Sequence, residues 1–492
     1  MKLKVKNLNW MAGRPVAFLH EDTAKRINVF ANDRLEIVKP KKVYAIVDIF
    51  SKVVKKNEIG ISLELGKILK LKTGSNVEIK TSEISNATFL IRKKLSGKKL
   101  SQSELEFLIS EIVHNNLSEA EIAYFTAAEK LRGMSKEEII NLTRAMVKTG
   151  VKLKFKGKFV VDKHCIGGIA GNRTTPLVVS ICASQGLIFP KTSSRAITSA
   201  AGTADVIETL AKVELSIDEI KKVVKKTSAC LAWGGSLGLA PSDDKIIRVE
   251  RLLNLDIEAQ LLASIMSKKI AAGAKYLLID IPYGRGAKVP NLKKAKSLGK
   301  KFFKIAREFG LNLHIVYTDG SLPIGHGFGP VLEMLDILKV LRNEIDAPQD
   351  LRDKSIFLAS EIFKMCKIKN PRKLAENALI SGEAYQKFKE IVNAQNGSNN
   401  FERRVANLRL GRIRRTIYSK KSGRIKRVGN HEINSICRIL GTPETATAGL
   451  KLHKKTGVVK KSDPLMTLYT ESRNKLDDAI KFIKKNNPII IA

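Results

Sequence analysis

The first 85 residues contain short runs in which apolar and polar positions alternate with a period of two, the pattern of half-buried β-strands. The segments 16–38 and 59–80 share one plan, in which an apolar start is followed by a short helical stretch, a turn and an alternating strand. The turns are marked by the pairs Asn32-Asp33 and Thr73-Gly74. This imperfect duplication predicts a small β-barrel made of two interlocked repeats.

Helical spacing of apolar residues takes over from about 103 to 150. Ser118 with Glu121, and Ser135 with Glu138, match the capping box, in which a serine and an acidic residue three positions later satisfy the free N–H groups of a helix start. A helical domain is therefore predicted after the barrel.

A third pattern runs from about 157 to 345, where apolar strands such as KFVVDKH, KYLLIDI and LHIVYTD alternate with amphipathic helices. This alternation predicts a mainly parallel sheet. The polar run NAQNGSNN at 393–400 predicts an exposed loop or linker. The tail from about 405 is mixed and predicts a second small β-rich domain.

These patterns predict an α/β and α+β multidomain chain, and the 492 residues are too many for a single hydrophobic core. The predicted domains are an N-terminal β-barrel-like domain with an internal repeat at 1–85, a helical domain at 86–156 with a contribution from about 210–230, an α/β domain expected to carry the chemistry at 157–345, and a C-terminal α+β domain at 346–492.

Lysine and arginine number 88 against 48 acidic residues, which gives a formal net charge of +40. Such a charge attracts polyanions, so nucleic-acid binding is one alternative. Nucleic-acid binders usually concentrate their charge in a patch interleaved with aromatic residues. Here lysine is spread along the whole chain and aromatic residues make up 6%. We therefore expect a compositional bias and no specific nucleic-acid partner.

The five cysteines are an odd number without a CxxC pair, which predicts reduced thiols rather than disulfides or a zinc site. The histidines are scattered and form no metal-ligand pattern. The N-terminus has no signal-peptide pattern, and no segment approaches the roughly 20 apolar residues of a membrane helix. We expect a soluble cytoplasmic protein that does not associate with membranes.

The first candidate for chemistry is the segment VDKHCIGGIAGN at 161–172, where an apolar strand runs into a glycine-rich turn and then into a helix that begins near Thr174. Backbone N–H groups at such a turn, helped by the helix dipole, can hold an anion. A tight turn without a ligand is the alternative.

The second candidate is the segment SSRAITSAAGTAD at 193–205. It combines hydroxyl groups, the guanidinium of Arg195 and small residues that leave room for a ligand, which is how phosphate pockets are built. A Ser/Thr-rich loop that only caps the following helix is the alternative.

The third candidate joins Asp256, Ser264 and Lys288. Asp256 and Ser264 are eight residues apart, so a single helix would place them about two turns apart on neighbouring faces. Lys288 follows the strand KYLLIDI and a Gly-Arg-Gly turn, so it could return to the same pocket. Asp256 or Lys288 taken alone would more often be a solvated surface charge.

Together the segments resemble the thymidine and pyrimidine-nucleoside phosphorylase family. The family signature, Ser-x-Arg-small-apolar-x-x-small-small-Gly-Thr-x-Asp-x-apolar-Glu, is matched at 193–208. Similar stretches are VDKHCIGG at 161–168, SLGLAPSDDK at 236–245, LLASIMSKKIAAG at 261–273, TDGSLPIGHGFGP at 318–330 and LHKKTGVVKKSDPLMTLY at 452–469. The resemblance covers roughly residues 86–492.

Departures from the thymidine phosphorylase pattern indicate a subfamily. Those enzymes carry Ser-Thr where this chain has Cys165-Ile166, and Gly-His-Thr-Gly-Gly-Thr in place of residues 198–203. Their pyrimidine-binding arginine corresponds to Val249, although Arg248 and Arg251 are near. The N-terminal barrel and the run 194–199 are similar to those of archaeal AMP phosphorylases. Some bacterial relatives with the same layout are labelled thymidine phosphorylases, which keeps that alternative open.

The resemblance implies a set of residues that contact AMP or its phosphate: Gly168, Ser194, Arg195, Ala196, Ile197, Thr198, Ser199, Thr203, Ser264 and Lys288. It implies that Asp256 donates a proton to the leaving base, and it adds Lys163 as a phosphate-binding lysine. No metal and no organic cofactor is implied.

The reaction implied is phosphorolysis of AMP, with CMP and UMP as further substrates, to give the free base and ribose 1,5-bisphosphate. A thymidine or pyrimidine-nucleoside phosphorylase is the alternative. The expected partners are AMP, inorganic phosphate and a second copy of the chain in a homodimer. The N-terminal barrel is expected to join dimers into larger particles.

Overall fold

The computed structural model of the chain describes residues 1–39, 42–81, 86–196, 199–252 and 255–492. The chain forms two compact units that each use two stretches of sequence. Unit 1 comprises Met1–Thr149 and Pro241–Ala263, and unit 2 comprises Gly150–Ala240 and Ser264–Ala492. Among the described residues, none of the helices has both the length and the apolar composition needed to cross a membrane.

Unit 1 begins with a closed six-stranded barrel of strand order β1-β5-β2-β4-β3-β6. Its elements are β1 (Lys2–Asn7), β2 (Val16–His20), α1 (Glu21–Arg26), β3 (Arg34–Lys39), β4 (Val43–Phe50), β5 (Glu58–Ile61), α2 (Leu63–Leu69) and β6 (Asn76–Thr81). The two strand–helix–strand repeats, β2-α1-β3 and β5-α2-β6, confirm the predicted duplication. Alternate residues such as Leu35, Ile37 and Ile59 are completely buried inside the barrel, as the period of two predicts.

The rest of unit 1 is a helical bundle of α3 (Ala87–Leu95), α4 (Gln102–Val113), α5 (Glu119–Arg132), α6 (Lys136–Thr149) and α10 (Pro241–Leu252). Both predicted capping boxes are present. Glu121 accepts the N–H of Ser118 at 2.7 Å and Glu138 accepts that of Ser135 at 2.8 Å, and each serine hydroxyl accepts the N–H of its glutamate.

The predicted contribution of residues 210–230 to this bundle is wrong. The segment that returns to the bundle is 241–263, because the apolar face of α10 packs on α4, α5 and α6. The helix α9 (Ile217–Thr227) buries its apolar side in unit 2, against β9 (Ala229–Trp233) and α16 (Glu383–Asn396).

Unit 2 contains five parallel strands, as the alternating pattern predicts. The strands β11-β10-β7 form one sheet and β8-β9 another, and a parallel bridge between Val160 and Ile188 links the two. The strands not yet given are β7 (Val161–Cys165), β8 (Phe189–Ser193), β10 (Tyr276–Tyr283) and β11 (Asn312–Asp319). The helices are α7 (Thr174–Ser184), α8 (Thr203–Glu208), α11 (Glu258–Ala271, in this unit from Ser264), α12 (Leu292–Glu308), α13 (Pro330–Leu341), α14 (Gln349–Met365), α15 (Pro371–Ile380) and α17 (Phe401–Ala406).

The C-terminal part of unit 2 is rich in strands. One sheet has the order β12-β15-β17-β13 and a second has the order β16-β14-β18. The elements are β12 (Gly327–Phe328), β13 (Ile413–Tyr418), β14 (Gly423–Val428), α18 (Asn430–Leu440), β15 (Gly449–Leu452), β16 (Val458–Val459), β17 (Pro464–Thr470), α19 (Arg473–Asn486) and β18 (Ile489–Ile491). The fold class is thus confirmed, while the four domain boundaries stay predictions.

The expectation of an exposed loop or linker at 393–400 is wrong for 393–396, whereas 397–399 form an exposed turn. Residues up to Asn396 form the last turn of α16, and Gly397 ends the helix in a left-handed conformation with φ 66°. The carboxamide of Gln395 is buried and accepts the N–H of Leu231 in β9 at 2.7 Å. The side chains of Asn393, Gln395 and Asn396 therefore bond to backbone groups inside the unit.

Candidate functional site

Lys163 lies in the middle of β7 and its side chain is completely buried. Its Nζ donates to the hydroxyl of Thr174 at 2.7 Å and lies 3.5 Å from that of Thr175, in the first turn of α7. Burial lowers the pKa of this lysine, although the nearby Cys165 and Asp280 oppose the shift. An ammonium group beside two hydroxyls and a helix N-terminus is an arrangement that suits an anion.

Position 168, in the glycine-rich turn after β7, can hold only glycine. Gly168 has φ +90°, a conformation that other residues rarely adopt, and a Cβ there would lie 2.6 Å from the backbone nitrogen of Lys288. The structure thus brings Gly168 and Lys288 into contact, two residues that are 120 positions apart in the sequence. The side chain of Lys288 is exposed.

The loop between β8 and α8 closes on itself around one carboxylate. Asp205 accepts the N–H groups of Ala196 at 2.8 Å and Gly202 at 2.7 Å. A Cβ on Gly202 would lie 2.4 Å from the carbonyl oxygen of Ser194 and 2.6 Å from the nitrogen of Ala196. Only glycine fits here. This close approach leaves the side chain of Ser194 exposed.

The guanidinium of Arg195 is paired with carboxylates, whereas the sequence analysis expected it to line a phosphate pocket. Its guanidinium donates to Asp205 at 3.3 Å, Glu208 at 2.5 Å and Glu214 at 3.2 Å, and it stacks 4.8 Å from the ring of Trp233. These carboxylates raise the pKa of Arg195, Glu208 most strongly. With its charge neutralised in this way, Arg195 shapes the loop, and its direct contact with phosphate stays a prediction.

Arg173 is a residue that the sequence reasoning missed. Its guanidinium is buried and donates to Glu333 at 2.6 Å, to the carbonyl oxygen of Ala201 at 2.7 Å and to the hydroxyl of Thr203 at 3.1 Å. It follows the glycine-rich turn directly and precedes Thr174, so it joins the turn to the 194–203 loop. Its position in the sequence, as a single arginine between a glycine-rich turn and a helix start, could have indicated this role.

Other polar groups missed at the sequence level lie at the same edge of the sheet. The hydroxyl of Ser193 and the carbonyl oxygen of the Asn172 side chain are buried, and the residues that the structure describes offer neither a hydrogen-bond partner. An unsatisfied buried polar atom costs about 1–3 kcal/mol, so such atoms are typical of sites that gain their partner from a ligand. Asn172 is the last residue of the first predicted segment and Ser193 is the first residue of the second.

The opposite face of β7 carries a second buried ionic cluster. Asp162 pairs with Lys191 of β8 at 3.1 Å and with Lys269 of α11 at 2.8 Å. Burial alone would raise the pKa of Asp162, but the two lysines outweigh it and hold the pKa below its usual value. Because Lys269 lies five residues after Ser264 on α11, this cluster fixes the part of the helix that carries Ser264. Ser264 itself is half-buried.

Asp256 is not on a helix with Ser264, and that expectation is wrong because α11 begins only at Glu258. Asp256 lies in the segment before α11 in unit 1, where its carbonyl oxygen accepts a hydrogen bond from Lys130 at 3.0 Å and its side chain is exposed. Of the other predicted residues, Ser199 is half-buried, while Ile197 and Thr198 lie outside the described residues.

The position that corresponds to the pyrimidine-binding arginine of the resembled family is closed to a ligand. Val249 is 3% exposed and packs in the core of the helical bundle. Its neighbour Arg248 donates to the carbonyl oxygen of Gly13 at 3.2 Å and lies 3.9 Å from Glu119. In the described part of the chain, His, Cys, Asp and Glu form no group of three or more that could hold a metal ion.

Comparison with known proteins agrees with this architecture. Three family models match the chain: the helical bundle domain of a glycosyl transferase family at 89–150, the α/β domain of the same family at 157–385, and the pyrimidine nucleoside phosphorylase C-terminal domain at 424–490. Anthranilate phosphoribosyltransferase from Thermus thermophilus is similar in fold, with a TM-score of 0.53 at 18% identity over 63% of this chain and 99% of its own.

Curated relatives with similar sequences indicate the family to which the chain belongs. AMP phosphorylase 1 of Archaeoglobus fulgidus is 40% identical and AMP phosphorylase of Thermococcus sibiricus is 41% identical, each over 100% of this chain and 98% of its own. A putative thymidine phosphorylase of Legionella pneumophila strain Corby is 38% identical over 90% of this chain and 85% of its own. The domain matches and these relatives define a pentosyltransferase of the pyrimidine nucleoside phosphorylase class. Within that class, the chain belongs to the AMP phosphorylase family.

Gly202→Ala tests the packing of the 194–203 loop. The added methyl group must push Ser194 and Ala196 away, so we expect AMP to bind about tenfold more weakly or worse, the loss of one good hydrogen bond. Isothermal titration of the folded variant with AMP measures this. Gly234→Ala is the matched control, because its Cβ would meet Thr192 only at 3.6 Å. Unchanged affinity in Gly202→Ala contradicts the account.

Proposed function

We propose that this chain catalyses the phosphorolysis of AMP, and of CMP and UMP, by inorganic phosphate. The products are the free base and ribose 1,5-bisphosphate, and the reaction serves nucleotide degradation. The observation that carries the proposal is the similarity to AMP phosphorylases along the complete chain, N-terminal barrel included. The putative thymidine phosphorylase of Legionella pneumophila matches a smaller part of the chain.

The site supports a phosphorylated substrate over a bare pyrimidine nucleoside. Val249 is packed in a helical core where a pyrimidine-binding arginine would be needed, and Arg248 is engaged by Glu119 and Gly13. In contrast, β7 and the carboxyl end of β8 provide the ammonium group of Lys163 and the hydroxyls of Ser193 and Ser194. These are the groups that bind phosphate oxygens.

The chemistry asks for positioning and charge neutralisation rather than for a covalent intermediate. The C1′–N bond breaks with the ribose gaining oxocarbenium character, and phosphate attacks C1′ as the base leaves. We assign inorganic phosphate to Lys163, and AMP to Gly168, residues 194–199, Thr203, Ser264 and Lys288. Holding two anions in reacting geometry supplies much of the rate enhancement.

The leaving base departs more readily once it is protonated, and we assign this proton transfer to the carboxyl group of Asp256. In unit 1 its side chain is exposed, so it is accessible to a leaving base. Lys130 fixes the backbone of this segment by its hydrogen bond to the carbonyl oxygen of Asp256.

The assembly is proposed to be a homodimer built through the helical bundle. The N-terminal barrel is proposed to join dimers into larger particles, since the chemistry does not use it. A cytoplasmic location is part of the same proposal.

Substrate use tests the proposal directly. Initial rates of phosphate consumption are measured with AMP, CMP, UMP, adenosine and thymidine at equal concentration. We expect the monophosphates to be turned over and the bare nucleosides to react at least roughly tenfold more slowly, because they lack the charged group that the loop is built to hold. Comparable rates with thymidine and AMP would contradict the proposal and favour the thymidine phosphorylase alternative.

The second test is Asp256→Asn. Loss of a general acid lowers kcat by about 10²–10⁴-fold, while the KM for AMP should hardly change because the amide keeps the shape of the site. Steady-state kinetics of the purified full chain give both constants. Asp218→Asn, an exposed aspartate in unit 2, is the control. Near-normal kcat in a folded Asp256→Asn protein would return this residue to the surface-charge interpretation.

A further inference from the structure

Helix α18 in the C-terminal part of unit 2 presents three polar side chains at intervals of four residues. Asn430, Asn434 and Arg438 therefore lie along one face of the helix. The first two are buried, at 1% and 7% exposure, whereas His431 on the same helix is exposed. Neither the sequence patterns nor the proposed mechanism assigns a role to any of these residues.

Asn430 holds the glycine-rich turn that follows β7. Its side-chain oxygen accepts the N–H of Ala170 at 3.0 Å, and its side-chain nitrogen donates to the carbonyl oxygen of Gly320 at 3.0 Å. Ala170 is two residues from Gly168. One carboxamide thus joins the turn to the loop after β11 and satisfies two buried backbone groups.

Asn434 holds the second loop, one turn further along the helix. Its side-chain oxygen accepts the N–H of Ala200 at 3.0 Å, and Arg438 donates from Nε to the carbonyl oxygen of Ser199 at 3.4 Å. Ser199 is the last residue of the hydroxyl-rich stretch 194–199, and Ala200 directly follows it. The helix therefore fixes the C-terminal end of that stretch.

The same two loops also insert small apolar side chains into the C-terminal core. Ala170 and Ala200 are fully buried among Ile433, Ile436 and Cys437 of α18. Both loops therefore pack on the apolar core that contains α18.

We propose that α18 sets the preference for a nucleoside monophosphate, with Asn434 as the positioning residue that, together with Arg438, holds the end of the 194–199 loop at Ser199 and Ala200. Asn430 does the same for the turn that contains Gly168. The inference rests on the proposed function, since it assigns the 194–199 loop to AMP. It adds a residue set in the C-terminal part of the chain that determines substrate class through backbone hydrogen bonds rather than through contact with the substrate.

The test compares wild type, Asn434→Ala, Asn434→Asp and His431→Ala in the full chain. Removing the acceptor should raise the KM for AMP by about tenfold. The kcat and the KM for inorganic phosphate should stay within roughly twofold, because Lys163, which is assigned to phosphate, is held by the hydroxyl of Thr174 and not by α18. Asn434→Asp keeps an acceptor oxygen and should restore a KM near that of wild type, and His431→Ala should change nothing.

An unchanged KM for AMP in folded Asn434→Ala overturns the inference. So does an equal rise in both KM values with a fall in kcat and melting temperature, since that is the signature of a merely structural residue. Should Asn434→Ala fail to fold, Arg438→Ala removes the exposed hydrogen bond to Ser199, and the inference then requires a rise of about threefold in the KM for AMP. A wild-type protein that does not consume phosphate with AMP refutes the proposed function itself, and the inference with it.

Discussion

The guanidinium of Arg173 is the point at which the elements of the candidate site meet. It joins the start of α7, which holds Lys163, to the loop that ends at Thr203, and it is anchored on Glu333 of α13. Burial raises the pKa of Glu333, while Arg173 opposes that shift. A buried charge is tolerated only when it is paired and hydrogen-bonded. Removing either Arg173 or Glu333 would leave the other as an unpaired buried charge and would destabilise the fold.

The central strand β7 shows how charges are placed on both faces of one sheet. Lys163 points toward α7 and meets hydroxyls, whereas Asp162, one residue earlier, points to the other side and pairs with Lys191 and Lys269. Alternation along a strand thus separates Lys163, which bonds to hydroxyls at the start of α7, from a neutralised cluster that fixes α11. The site depends on this division and on the C-terminal helix α18, which holds two of its loops.

The sequence predicted those features that leave a local pattern. Strand and helix periods revealed the barrel and the parallel sheet, and glycines with hydroxyl residues marked the loops. It could not predict that Asn430 and Asn434 bond to Ala170 and Ala200, because 260 and 234 residues separate the partners. Composition also misled at 393–396, where an amide-rich run predicted a linker although Gln395 bonds to a strand.

Equilibrium binding of AMP to variants of the Arg173–Glu333 pair tests the central claim most directly. Arg173→Met alone leaves Glu333 buried without its partner and should destabilise the fold by about 3–5 kcal/mol. Arg173→Met combined with Glu333→Leu removes both charges and should regain much of that stability. The account predicts that the stable double variant still binds AMP at least about tenfold more weakly than wild type, because Ala201 and Thr203 have lost the group that holds them. Wild-type affinity in the double variant would contradict it.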